Sequence, residues 1–329
     1  MTPTCSNCGA VLDAGGSEPL LRVVCHCGQK HLLQRTFDHF VPVETLGVGG
    51  MGTVYKARDT QLERFVALKL LRKDLSSEAD HDAQLQQEAR IAASVNHPNV
   101  VQIFGLGTDH GRFYVVMELL DHGSLDDLME SQRRLPEHQV LDVGIQIARG
   151  LRAAHRKGLI HRDVKPANIL FVDEQAAKIV DFGLAAFATQ DSQSAGKDHV
   201  VWGTPAYVAP ERMCNRPEDV RSDIYSLGAT LFHSLAGNAP IESSTTIATE
   251  LYALKQHPSE LRVVAPNVSE PTARVLQRMI APDPKDRFSS YDELLEELDA
   301  ARRALEISDA RRRSSRWPFS GFFRHNQKL

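Results

Sequence analysis

The sequence has no long apolar run. Nowhere do about 18 apolar residues follow one another, so no segment reads as a membrane-crossing helix. The start, MTPTCSNCGA, has no basic stretch leading into an apolar one, so no secretory leader is expected. There is no large charge excess either. The 329 residues carry a net charge of −4, which argues against general affinity for nucleic acid. Aromatic residues make up 6%. Cysteine is scarce, and four of the five lie in the first 27 residues. What remains is a chain with 42% hydrophobic and 24% charged residues, the balance of a globular protein, long enough for one large domain or two ordinary ones. A cytoplasmic protein is expected.

What is present is unevenly placed. From Ala301 onward eight Lys or Arg face two Asp or Glu, leaving about −10 on the rest. At the other end, Cys5 and Cys8 form a C-x2-C knuckle, and Cys25 and Cys27 a tighter C-x-C pair. Thiolates on two short turns can hold a tetrahedral zinc ion at about 2.3 Å each. Gly9 and Gly28 follow the pairs and let the backbone turn its amides toward the sulfurs. The apolar LLRVV between the pairs is expected to be a small strand. A segment of about 30 residues cannot bury a core of its own, so a metal is what would hold it folded. Two disulfides are the other reading, and the missing leader argues against them. His26 or His31 are alternative ligands. Residues 1–33 resemble a zinc ribbon, which implies structural Zn2+ on Cys5, Cys8, Cys25 and Cys27 and a binding partner of unspecified kind. Cys214, far from the others, is expected to be structural.

After a linker at 34–39 comes VPVETLGVGGMGTVYKARD, two alternating runs around a glycine cluster. Gly47-x-Gly49-x-x-Gly52 is weak evidence alone, because dinucleotide folds share the spelling. Those folds run from strand into helix, whereas TVYKAR after Gly52 is β-type. The loop therefore joins two strands, and its glycines would let backbone lie close over a polyphosphate. VALKLL then puts Lys69 on a strand among apolar residues, where an ammonium needs an anion. A helix follows through DAQLQQEARIAA, carrying Glu88. That Glu is either a solvated helix charge or the partner that positions Lys69.

The order glycine loop, VALK, helical Glu resembles the small lobe of a eukaryotic-like protein kinase of bacterial type. Further signatures follow in order: FYVVMELLDHGSL, HRDVKPAN, DFG, WGTPAYVAPE, SDIYSLG and PKDRF. The resemblance covers about four-fifths of the chain. It implies an α+β, two-lobed fold over residues 40–300, with a small β-rich lobe at about 40–117, a hinge at 118–122 and a mainly helical lobe at 123–300. It implies transfer of the γ-phosphate of ATP, with Mg2+ or Mn2+, to protein hydroxyls. Asp163 then orients or deprotonates the hydroxyl, Lys165 neutralises γ-phosphate charge, and Asn168 and Asp181 bind the metal. Thr204 bridges Asp163 and Lys165. Leu46, Gly47, Val48, Gly49, Gly50, Met51, Gly52, Thr53, Val54, Ala67 and Lys69 cover the nucleotide. Met117 is the gatekeeper, and the Glu118 carbonyl and Leu120 amide hold the adenine edge. Ser124 stands where many relatives carry an acidic ribose ligand, with Asp127 as the alternative. Glu211 pairs with Arg287, and Asp223 anchors the catalytic loop. Lys165 is the serine/threonine pattern, so protein Ser and Thr are the expected substrates.

Arg162 implies control by an anion. Where bacterial relatives carry loop threonines, this chain has Gly196 and Asp198. Either Asp198 serves as a fixed anion or Thr189, Ser192 or Ser194 is phosphorylated. The tail from residue 301 to 329 is read as solvated. Its basic stretch, with Trp317, Phe319, Phe322 and Phe323, also fits contact with an anionic membrane, and Ser314 and Ser315 are phosphorylation candidates there.

Overall fold

The alternating runs pair as strands. The computed structural model describes residues 3–12, 19–72, 79–182, 204–214, 216–243 and 245–315. Thr189, Ser192, Ser194, Gly196 and Asp198 lie outside the described residues, as do Trp317, Phe319, Phe322 and Phe323; the side chains of Ser314 and Ser315 are likewise outside them. The LLRVV run is β1 (Leu20–Val24), paired antiparallel with β2 (Lys30–Gln34). A five-stranded sheet follows. Its strands are β3 (Phe40–Gly49), β4 (Gly52–Asp59), β5 (Arg64–Leu71), β6 (Ile103–Asp109) and β7 (Arg112–Met117), in the order β3-β4-β5-β7-β6. Helix α1 (Ala79–Ala93) lies against β6. Central β5 is buried along most of its length and reads as a continuous apolar run interrupted by Lys69.

The glycine loop is the β3–β4 turn, with Gly49 opposite Gly52. Gly52 has a steric reason to be glycine: a Cβ there would come within 2.1 Å of the Leu70 carbonyl oxygen. Gly50 faces open space. Gly52→Ala is therefore expected to lower unfolding free energy by about 1–3 kcal/mol, as forced overpacking does. Gly50→Ala should change it by less than about 0.5 kcal/mol. Urea midpoints of the two variants check this, and equal midpoints would refute it.

The segment expected as a linker is not loose. Phe37 is fully buried and meets Phe40 and Tyr114 in one apolar cluster, with Leu20 of β1 against it. The Asp38 amide donates to the Asp109 carboxylate at 2.8 Å, and Gln34 donates to the Pro42 carbonyl at 3.1 Å. Charge and turn composition hid this, because the anchoring comes from one aromatic ring and from backbone groups.

The second lobe is helical: α2 (Leu125–Gln132), α3 (Glu137–His155), α4 (Pro210–Met213), α5 (Val220–Ala236), α6 (Ala248–Lys255), α7 (Leu261–Val264), α8 (Glu270–Met279) and α9 (Tyr291–Ser315). The short strands β8 (Ile169–Phe171) and β9 (Ala177–Ile179) form a ribbon beside them. Helix α5 is buried on nearly every face, which fits the mainly apolar and small side chains of SDIYSLGATLFHSLA. Three of its hydroxyls are satisfied within the helix: Ser226 donates to the Ser222 carbonyl, Thr230 to Ser226 and Ser234 to Thr230. Helices α3, α8 and α9 pack around it through Leu141, Ile147, Leu151, Leu276, Leu294 and Leu298. The composition break at Ala301 is not a structural boundary. Ala301 is buried, Arg302 bonds Asp142 on α3 at 2.7 Å, and α9 runs on to Ser315. Among the described residues no helix is long and apolar enough to cross a membrane.

Candidate functional site

HRDVKPAN folds around two buried anchors. The two oxygens of Asp223, at the start of α5, accept the backbone N–H groups of His161 and Arg162, both at 2.8 Å. His161 is fully buried and joins two segments. Its Nδ1 accepts the Asp163 amide at 3.2 Å, which leaves Nε2 to donate to the Val180 carbonyl at 2.8 Å. One neutral tautomer satisfies both bonds. The ring thus fixes the loop relative to the residue preceding Asp181.

Three polar side chains converge on this loop. Asp163 Oδ2 accepts Lys165 Nζ at 2.8 Å and Asn168 Nδ2 at 3.0 Å. Asn168 Nδ2 also donates to the Asp163 carbonyl at 2.8 Å. Both contacts engage the amide nitrogen, so the Asn168 amide oxygen remains as an acceptor. Thr204 does not complete this group. It is exposed, and among the described residues no hydrogen bond joins its hydroxyl to Asp163 or Lys165, which pair directly.

Across the cleft, Lys69 is 4% exposed and stands opposite Val54 and Val115 in the sheet. Its ammonium lies 2.8 Å from Asp181 Oδ1. Burial pushes the Asp181 carboxyl up, but Lys69, with lesser pull from His161 and Lys165, holds it below the usual carboxylate range. Among the described residues Lys69 makes no ion pair with Glu88, so the expected Lys–Glu pair is corrected to Lys69–Asp181. The cause is the backbone after β9. Asp181 sits at φ +68, in the left-handed region, and this turn aims its carboxylate at β5. Asp181 and Asn168 are both oxygen donors of the hard kind that suits magnesium.

Val54, Ala67, Met117 and Leu120 fall in one apolar cluster between the lobes, together with Val101, Leu170 and Val180. Leu170, two residues beyond Asn168, was not singled out in the sequence, although it ends the HRDVKPANIL stretch. Leu46 and Val48 on β3 are exposed, Val48 at 80%. Met51 departs from its expected place: its side chain packs with Leu71, Ala89, Phe113 and Val115 inside the small lobe. Thr53 sits on β4 opposite Leu70. The Glu118 side chain accepts Lys178 at 2.6 Å, a pair that no motif announced. Ser124 has a structural task. It is the N-cap of α2 in a capping box, accepting the Asp127 amide and donating to the Asp127 carboxylate at 2.7 Å. Its proton is thereby committed, and Asp127 is held in the same exchange.

Two pairs brace the lobe, one buried and one partly exposed. Glu211 and Arg287 form a two-pronged pair at 2.8 and 2.9 Å, as the sequence led us to expect. Arg162, at φ +67, has its carbonyl capped by Arg212 at 2.8 Å and its Nε 3.7 Å from Glu218. Glu218 was not anticipated, because it lies far along the chain from Arg162 with no motif around it.

The four N-terminal cysteines also converge. Cys5 and Cys27 Sγ are 3.7 Å apart, Cys8 and Cys25 Sγ 3.5 Å, and all four sulfurs lie within 4.8 Å of one another. These separations are far too long for a disulfide bond of about 2.05 Å. They match the edges of a tetrahedron with metal–sulfur bonds of about 2.3 Å. Backbone N–H groups of Asn7 and Cys8 point at the Cys5 sulfur, that of Ala10 at Cys8, and that of Gln29 at Cys27. Gly9 and Gly28 turn these knuckles at φ +70 and +85. His31 Nε2 lies 3.1 Å from the Cys5 sulfur, outside the four-sulfur set.

Comparison with known proteins agrees with this geometry. Residues 40–298 match the family described as "Protein kinase domain". The serine/threonine-protein kinase PknB of Mycobacterium leprae is 33% identical over 79% of this chain and 42% of its own length. PknJ of Mycobacterium tuberculosis is 36% identical over 78% of this chain and 44% of its own length. This chain thus spans less than half the length of these curated relatives. The kinase domain of Mycobacterium tuberculosis PknI superposes with a TM-score of 0.65 at 28% identity, covering 81% of this chain and 97% of that one. The chain belongs to the protein kinase domain family.

Proposed function

We propose that this chain is a protein serine/threonine kinase of bacterial signalling that transfers the γ-phosphate of ATP to Ser and Thr hydroxyls, its own among them. The carrying observation is the grouping of Asp163, Lys165 and Asn168 on one braced loop, facing the Lys69–Asp181 pair across an apolar cleft. Phosphoryl transfer needs placement and charge more than covalent help. Asp163 receives the hydroxyl proton, and Lys165 offsets charge on the moving phosphoryl group. Asp181 and the Asn168 amide oxygen would hold magnesium or manganese, which when bound screens the phosphate charge. Lys69 holds phosphate oxygens, with Glu88 as a neighbouring charge on α1. The glycine loop covers the phosphates with backbone. Val54, Ala67, Met117 and Leu120 enclose the base, and the Glu118 carbonyl and Leu120 amide give its edge two bonds. Leu170 supplies the floor. With the Ser124 proton committed to the helix cap, Asp127 is the better candidate for the ribose. Wild-type protein with ATP and magnesium should label histone on Ser or Thr. No label, from folded protein that binds ATP, would refute the reading.

The same proposal places structural zinc on Cys5, Cys8, Cys25 and Cys27, supported by sulfur spacings of 3.5 and 3.7 Å. Reduced thiolates of this kind fit a cytoplasmic setting. Purified chain is expected to hold one zinc ion by elemental analysis and to lose it in Cys25→Ser. Zinc retained by that variant would sink the assignment.

A further inference from the structure

We propose that Lys255 is a positioning residue for the peptide-docking segment: its ammonium holds the Ala206 carbonyl, and with it the backbone of residues 204–209, in the shape that receives substrate. The inference rests on the kinase reading only for what the segment binds. Lys255 is the last residue of α6 and is 0% exposed. A lysine so placed is rare, because burying an ammonium is costly and an apolar side chain of the same length would fill the space. Its contacts are specific. Nζ donates to the Ala206 carbonyl at 3.2 Å and to the Tyr225 hydroxyl at 3.3 Å, and sits 5.1 Å from the Tyr225 ring centre. Among the described residues Lys255 makes no ion pair. Helix α6 also packs beneath the segment, with Ala248 and Leu251 against Val208. One helix therefore supports the segment twice, by apolar contact along its length and by a buried cation at its end. Ala206 lies two residues from Thr204 in the GTPAY stretch, and the Tyr207 amide returns to the Thr204 carbonyl at 3.1 Å. A pull on the Ala206 carbonyl is thus transmitted through a closed turn.

The titratable and charged groups facing Lys255 come from three elements: the neutral Tyr225 hydroxyl on α5, Glu211 on α4 and Arg287 beside α9. Burial brings the ammonium down to about 7, with Arg287 opposing the charge and Glu211 favouring it. The protonated group has three N–H bonds for its three neighbours, the carbonyl, the hydroxyl and the ring face. The neutral amine has two, and its lone pair competes for the Tyr225 hydroxyl proton. Hold on the docking segment is therefore stronger below neutral pH and weaker above it.

The test compares wild type with Lys255→Met, a substitution of similar length that suits a buried site. Hydrogen exchange at residues 204–209 should be about tenfold faster in the variant, the loss of one charge-assisted bond. Steady-state transfer to histone should show a KM for histone raised by a similar factor, with kcat and the KM for ATP unchanged. In wild type the KM for histone should rise between pH 6 and 8.5, and in the variant it should stay flat. Equal exchange in the two proteins overturns the proposal, whether or not wild type transfers phosphate. So does an unchanged KM for histone in an active variant. Faster exchange beside a wild type that transfers no phosphate supports the strut and instead refutes the kinase reading.

Discussion

Asp163→Asn should lower phosphate transfer to Ser and Thr by at least about 100-fold, the usual contribution of a positioned proton acceptor. ATP affinity and fold should be unchanged. The two bonds that hold the side chain, from Lys165 at 2.8 Å and Asn168 at 3.0 Å, both land on one oxygen, and an amide keeps one oxygen to receive them. The Asp163 carbonyl still accepts Asn168, and its amide still donates to His161. What the amide loses is the capacity to take a proton and the negative charge that attracts Lys165. The effect should therefore appear in kcat rather than in nucleotide binding. Initial rates of labelled transfer, beside ATP binding by a fluorescent analogue, measure the two separately. A variant that transfers within threefold of wild type would remove Asp163 from the mechanism. A variant that no longer binds ATP would show that its role is structural.

Glu211→Ala should reduce unfolding free energy by about 3–5 kcal/mol, because it leaves a buried guanidinium without its anion. Arg287 uses all five of its N–H donors. Nε goes to the Ala281 carbonyl at 2.7 Å, Nη1 to Glu211 and the Arg221 carbonyl, and Nη2 to Glu211 and the Pro282 carbonyl. Ser222 donates a further bond to Glu211 at 2.7 Å. Burial pushes the Glu211 carboxyl up, and Arg287 pulls it below its ordinary value, the pull winning. A carboxylate lowered by folding stabilises the fold above its ordinary value of 4.5 and loses that contribution as pH falls through its folded value. The difference between wild type and Glu211→Ala should thus be full at pH 7 and shrink below about pH 4.5. Adding Arg287→Met should recover part of the loss, since removing both charges leaves no unpaired ion. Denaturant midpoints by circular dichroism at pH 7 and pH 4 measure this. A loss under about 1 kcal/mol at pH 7 would contradict a buried, fully bonded pair.

Much of the site was written in short motifs whose geometry is local. HRDVKPAN needs only a tight loop to bring Asp163, Lys165 and Asn168 together, because they lie within six positions. The glycine loop was recognisable because TVYKAR continues as strand rather than helix. The Glu211–Arg287 pair was legible from its flanking motifs, although its members are far apart. The cysteine cluster was legible in spacing alone, since two knuckles and a short hairpin suffice to bring four sulfurs within reach. The helix of SDIYSLGATLFHSLA announced its burial by carrying one acidic residue, Asp223, and otherwise mainly apolar and small hydroxyl side chains.

Other features needed the folded chain. The partner of Lys69 was decided by the left-handed turn at Asp181, a backbone property that side-chain identity does not encode. Ser124 looked like a ligand and proved to be a helix cap, because its partner Asp127 competes for the same proton. Met51 lies in a loop motif, yet its side chain is drawn into the small lobe by apolar contacts with α1 and β7. Glu218 meets Arg162, and Lys255 meets Ala206, although Glu218 and Lys255 themselves lie in no recognised motif. By itself the sequence determined the family, the two-lobed fold and the catalytic loop, because periodic burial and local spacing are written in consecutive residues. Only the tertiary structure decided which groups meet Lys69, Arg162 and Lys255, because that depends on where segments distant in the chain come together and leave a buried polar group a partner.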